Sequence, residues 1–342
     1  MRLGHVQKRN GFTLIELLVV IAILALLMAL TVGVISKVYT YLDETKVVSE
    51  VNRLAESCQL FKATFGRYPP GKILLAEQGT VYANISAGAV APPVGYSTAQ
   101  FQALANYSTE YLSSIFPGIN LAGNVHDWNG NNIPGESGYV ILEGQQCLVF
   151  FLGGMRYGTN TPIGFSTDKT LPTAQTNGAR LGPFYDFDTG RFTTSVFPAY
   201  NDPYGTPYAY FAAKFQGMNN YTNRYVPNNA QLIGASDCES ITTTGTVYFV
   251  PYFQGTVPFS PPVGGPPNWS TATSFKFMKP DTFQIVSAGK DKQFGTGGQW
   301  NQTDPEQSLF MPTSVLPAVT QDMLQANYDN ITNFTSGRVV PK

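Results

Sequence analysis

A charged group set in an apolar run must find a partner, and Glu16 is the first residue in this chain that poses the problem. From Phe12 to Ile35, twenty-four residues are nearly all apolar, and Glu16 is the one charged side chain among them. An ionised carboxylate in hydrocarbon costs at least a few kcal/mol unless an opposite charge meets it. Cleavage after Gly11 would provide that charge. Phe12 would gain a free ammonium four residues before Glu16, and the ammonium of a neighbouring copy could pair with the carboxylate between packed helices. Gly11 has no side chain, which suits a narrow protease site, and basic residues (Arg2, Lys8, Arg9) precede it. Gly11 and Phe12 are therefore expected to form a processing point, and Glu16 to act in assembly.

Other residues offer weaker chemistry. In "DWNGNNIPGE", Asp127, Asn129 and Asn131 alternate as at the start of a calcium-binding loop. Asn132 replaces the required glycine, however, and Gly138 stands where a closing glutamate is needed, so a polar turn fits better. Asp186 and Asp188 in "DFDTGR" read as a hairpin turn before they read as a metal clamp. The clusters Phe150–Phe151 and Tyr208/Tyr210/Phe211 could stack on sugar, but aromatics in strands usually fill a core. Cys58, Cys147 and Cys238 show no CxxC spacing, so at most one disulfide can form. If the domain faces an oxidising compartment, Cys147 and Cys238 are the expected pair, with Cys58 in the helix stripe left over. No nucleophile elbow, P-loop or HExxH helix is present, and an enzyme is not expected.

These groups need elements to position them. Phe12 to Ile35 would span about 36 Å as a helix, enough to cross a bilayer. Positive charge before it and mixed charge after it place the N-terminus in the cytoplasm and the rest in the periplasm or outside the cell. No A-x-A-like site follows the apolar run, so the span is expected to be retained as an inner-membrane anchor. The helix should continue amphipathically over 36–66. Val47, Val51, Leu54, Cys58, Phe61 and Phe65 form an apolar stripe, with Glu50, Arg53, Glu56 and Lys62 off it. Gly66, Pro69 and Pro70 end it. Beyond lie a helical segment at Thr98–Ser114 and strand-like runs broken by Gly, Pro and Asn, among them "GYVILEG", "CLVFFLGG", "PFYDFDTGRF", "TPYAYFAA" and "TFQIVSAG". Charged residues are only 13% and the net charge is −1, so no basic surface for nucleic acid is expected.

The stretch "GFTLIELLVVIAILALL" resembles the prepilin leader of type IV pilins and type II secretion pseudopilins. The resemblance implies an α+β, pilin-like fold, with a long N-terminal helix packed on an antiparallel sheet. It also implies a leader at 1–11, a filament-core helix at 12–35 and a β-rich domain at 67–342. A prepilin peptidase would cut after Gly11 and methylate Phe12, and Glu16 would be required for assembly with other subunits on an inner-membrane platform. Three further segments, "FGRYPPG" (65–71), "NDPYGTPYAYF" (201–211) and "IVSAGKDKQFGTGG" (285–298), resemble the major pseudopilin of type II secretion in order. Residues 76–195 and 212–275 then look like large insertions. In that family the last loop binds calcium with help from a later aspartate, which nominates Ser287, Asp291 and, from "NYDNITNF", Asp329. Lys290 and Lys292 flank Asp291, and a loop held by a Lys–Asp pair is the competing expectation. The function implied is a structural subunit of a type II secretion-like or type IV pilus-like filament. The alternative is an anchored or filament-displayed binding module, adhesive or cargo-recognising.

Overall fold

The computed structural model describes residues 13–93, 96–123, 125–157, 161–175, 178–213, 250–254, 276–279, 281–295, 297–300, 328–335 and 337–339, with the side chains of 30–41, 250, 276, 277 and 299 excepted. Gly11, Phe12, Cys238 and most of 212–275 therefore lie outside the described residues. The chain divides into two compact units, Met1–Lys46 and Val47–Lys342, and helix α1 (Leu14–Phe65) contributes residues to both.

In the first unit, the described side chains from Leu14 to Met28 are all exposed, the large apolar ones from 46% at Val20 to 82% at Leu14. A helix apolar on every side is stable only when something covers it. Among the described residues no helix is long and apolar enough to cross a membrane. The expected span at Phe12–Ile35 begins outside them, and from Leu30 its side chains do as well.

The second unit is α+β. The last turns of α1 carry the stripe: Val47, Val51, Leu54, Cys58 and Phe61 are at most 1% exposed, and Phe65 is 7% exposed. The Gly66 amide donates to the Lys62 carbonyl at 2.7 Å, and a positive φ of 80° there turns the chain out of the helix. Strand β1 (Lys72–Ala76) then pairs antiparallel with β2 (Tyr139–Glu143). Between them come α2 (Gly79–Ser86) and α3 (Thr98–Ile115), the latter started by a reciprocal Ser97–Gln100 capping box. Helix α4 (Gly144–Gly153) follows β2 directly.

The remaining strands form three small sheets. β3 (Met155–Tyr157), β4 (Thr161–Ser166) and β5 (Arg180–Leu181) make one antiparallel sheet. β6 (Ala209–Ala212), β9 (Phe283–Ser287) and β11 (Ile331–Thr332) make a second. In the third, β7 (Val250–Gln254) pairs antiparallel with β8 (Lys276–Phe277) and parallel with β10 (Gly297–Gln299). One core joins the α1 stripe to α4, β6 and β9, with Phe61, Phe65, Phe116, Phe150, Phe151 and Phe165 in edge-to-face contact.

Two sequence expectations need correction. "CLVFFLGG" is not a strand but most of α4. Its residues are buried on every side, so its hydrophobicity has no period to read, and Gln146 Oε1 accepts the Glu143 amide at 3.1 Å to start the helix. "PFYDFDTGRF" is largely irregular around a single 3-10 turn, Thr189–Arg191, where Asp188 Oδ1 accepts the Gly190 amide at 3.0 Å.

Candidate functional sites

The N-terminal residues come first. The Thr13 amide and hydroxyl both donate to Glu16 Oε2 at 2.8 Å, and the Glu16 amide donates back to Thr13 Oγ1 at 3.3 Å. This is a capping box, with Thr13 before the first turn of α1 and Glu16 at its third position. Sequence reasoning passed over it, although T-x-x-E before an apolar run is its signature. Among the described residues Thr13 is the one partner of Glu16, and Oε1 is left over. Glu16 thus starts the helix and still has an oxygen to offer.

The glycine-rich loop after β9 divides the three residues nominated for calcium. Ser287 is fully buried and donates from Oγ to Asp202 Oδ2 at 2.5 Å, so it is committed elsewhere. Asp202 is the turn residue of "NDPYGT". Its Oδ1 accepts the amides of Tyr204 at 2.9 Å and Thr206 at 3.0 Å, and Gly205 turns at φ 92°. Burial raises the Asp202 carboxyl above its ordinary range, against these donors. Asp291 and Asp329, by contrast, are brought together. The Asp291 amide donates to Asp329 Oδ2 at 3.1 Å. Burial, and then the charge of Asp329, push the Asp291 carboxyl up to about 6. Gly289, at φ 72°, makes the approach possible, because a Cβ there would stand 2.3 Å from the Asp329 carbonyl oxygen.

Two adjacent carboxylates that repel each other fit a hard cation. Among the described residues, however, no three His, Cys, Asp or Glu side chains gather as a metal centre. Carbonyl oxygens and water would have to complete the shell.

The "DWNGNNIPGE" loop is a self-closed turn. Asp127 Oδ1 accepts the amides of Gly130 at 2.7 Å and Asn131 at 3.1 Å, while Oδ2 accepts Asn132 N–H at 2.7 Å and Gln175 Nε2 at 3.1 Å. Cys147 is buried and donates to the Leu142 carbonyl at 3.5 Å; its expected partner Cys238 lies outside the described residues.

The feature least visible in the sequence is Glu50. It sits on α1 at 3% exposure and meets five donors. Arg191 forks onto it, Nη1 to Oε1 at 2.7 Å and Nη2 to Oε2 at 2.8 Å. The hydroxyls of Tyr185 (3.2 Å) and Tyr200 (2.9 Å) donate to Oε1, and that of Tyr208 (2.6 Å) to Oε2. Arg191 also reaches the Asn201 carbonyl and lies 4.4 Å from the Tyr200 ring centroid. Burial alone would raise the Glu50 carboxyl. The guanidinium and the Tyr208 and Tyr200 hydroxyls outweigh burial, and the net shift is downward.

Residues 6–32 match the family model of the prokaryotic N-terminal methylation motif. No curated protein and no solved structure matches the chain.

Proposed function

We propose that this chain, which carries the N-terminal methylation motif that marks type IV pilins and pseudopilins, is a structural subunit of a type II secretion-like or type IV pilus-like filament. A prepilin peptidase removes residues 1–11 and methylates Phe12. The subunit waits in the inner membrane with its second unit in the periplasm, and an assembly platform then withdraws α1 into a bundle with the helices of other subunits. The observation that carries this reading is the apolar start of α1, exposed on all sides over Leu14–Met28 with Glu16 as its one charge. Lipid can cover such a surface before assembly and neighbouring helices can cover it afterwards.

The likeness to the major pseudopilin also motivates a calcium site on Asp291 and Asp329. Bound there, calcium would neutralise two carboxylates that otherwise oppose each other, and Ser287 would take no part. Mass spectrometry of the N-terminal peptide from envelope-purified protein tests the core of the reading. A methylated Phe12 terminus is expected, and an intact Met1 or a cut beyond Ile35 would overturn it. Sheared filaments probed for residues 76–195 by electron microscopy should bear the chain along their length.

A further inference from the structure

A cavity of about 390 Å3 opens on the second unit, and no residue of the α1 stripe or of the Asp291 loop lines it. That volume suits one side chain or a small ligand. Leu75, Trp128 and Phe197 give it an apolar floor, and Glu77, Glu136 and Val196 add two carboxylates and an apolar rim. Glu77 is 7% exposed; its Oε1 accepts the amides of Trp128 at 2.9 Å and Asn129 at 3.4 Å, and its Oε2 accepts that of Glu136 at 3.2 Å. Glu136 Oε2 takes the side-chain amides of Asn129 at 2.8 Å and Asn131 at 2.7 Å, which leaves Oε1 open. Neither carboxylate has a cationic partner among the described residues, and no Lys, Arg or His lines the cavity there. Arg156 belongs to a separate, smaller cleft that shares Gln146 and Phe197.

Buried carboxylates are normally matched by a cation. Here Glu77 is buried on three backbone amides and Glu136 is half-buried with one oxygen open, and neither meets a cation beside the apolar floor. A bare metal ion does not answer that geometry, because the Glu77 oxygens already serve three amides and the floor offers no ligands. A cation on an alkyl stem does, since its methylenes cover the floor and its head meets the carboxylates. The rim indicates how the stem arrives. Of five large apolar side chains exposed in the described part of this unit, Val196 lines the cavity, and Val125 and Ile133 stand in the loop that supplies Trp128, Asn129 and Glu136. An exposed apolar side chain on the rim of an acidic pocket, with two more in a loop that contributes to its lining, suits a protein partner.

We propose that this cavity docks a lysine or arginine side chain presented by a protein segment with apolar neighbours. The site is independent of filament assembly. The test uses the full chain in mild detergent and isothermal titration with three probes: acetyl-Leu-Lys-Leu-amide, the same peptide with norleucine for lysine, and pentylamine. The lysine peptide is expected to bind saturably, at least tenfold tighter than either of the others, and to weaken at high salt. Glu136→Gln should weaken it at least fivefold with the melting midpoint unchanged. Val196→Arg, an exposed change that puts a competing guanidinium at the rim, should do the same without touching the loop. Equal binding of the norleucine peptide, pentylamine binding as tightly as the lysine peptide, no saturation, or wild-type affinity in both variants would each overturn the proposal.

Discussion

Replacing Glu50 tests how α1 is held within its own domain. Glu50→Ala removes the acceptor of five hydrogen bonds and strands the Arg191 guanidinium against the Asn201 carbonyl. Breaking a buried pair from one side costs about 3–5 kcal/mol. The Arg191 side chain is 26% exposed, so water can reach part of it and the lower end applies, about 3–4 kcal/mol. At this size that corresponds to a fall of roughly 6–12 °C in the melting midpoint. Removing both charges in Glu50→Leu with Arg191→Leu should cost clearly less than the two single changes added together, because no unpaired charge remains. The assay is reversible urea unfolding of the full chain in mild detergent, followed by near-ultraviolet circular dichroism. A loss below about 1 kcal/mol for Glu50→Ala, or strict additivity in the double variant, would refute this account of the cluster.

The pH dependence has a defined sign. The folded Glu50 carboxyl lies below its ordinary value, so its contribution is full above that value and is lost as pH falls through the folded one. The gap between wild type and Glu50→Gln should therefore close on acidification below about pH 4.

Asp291 has the opposite sign. Its folded carboxyl lies near 6, so its term weakens the fold as pH rises from about 4 to 6. Asp291→Asn should flatten the midpoint-against-pH curve there, and millimolar calcium should raise the wild-type midpoint at pH 7 but leave Asp291→Asn unmoved. Gly289→Ala forces a Cβ against the Asp329 carbonyl at positive φ and should cost at least about 2 kcal/mol by thermal unfolding. Cys58 is fully buried, and its thiol is pushed well above the ordinary range by burial. Iodoacetamide should label it only in denaturant, as read by peptide mass spectrometry, and the same map without reductant tests the proposed Cys147–Cys238 bond.

Local patterns in the sequence were readable where one face of an element is buried. The α1 stripe repeats every three or four residues because its opposite face stays wet, and α3 announces itself in the same way. The "NDPYGT" turn was readable because Asp202 and Gly205 act on their immediate neighbours. Helix α4 is hidden by complete burial, and β1 and α2 lie in a segment for which the sequence pattern names no element. Glu50 lies off the apolar stripe in the sequence pattern, yet it is buried. Its donors lie 135 to 158 residues away in sequence, so no local pattern could name them. One sign was present: Glu50 stands three residues after Val47 and four before Leu54, which puts it on the edge of the buried face. The Asp291–Asp329 approach came only through a resemblance, and the commitment of Ser287 to Asp202 emerged only from the fold.

The two glutamates of α1 answer the same electrostatic problem in different ways. Glu50 is satisfied within its own domain by a fork and three hydroxyls. Glu16 turns one oxygen back to its own helix start and, among the described residues, leaves the other without a donor. Two roles are therefore superposed on it, and Glu16→Ala alone cannot separate them, since it removes both the cap and the charge. Loss of the cap costs about 1 kcal/mol at the start of a helix that lipid or neighbours must cover in any case. Glu16→Gln separates the roles, because glutamine at the third position preserves a capping box while abolishing the charge. If Glu16 is the partner of a neighbour's Phe12 ammonium, Glu16→Gln should insert normally and fail to assemble as completely as Glu16→Ala. Thr13→Val, which keeps the charge and loses the hydroxyl, should assemble. Filaments at wild-type yield from Glu16→Gln, with Thr13→Val defective, would assign Glu16 to the helix start alone.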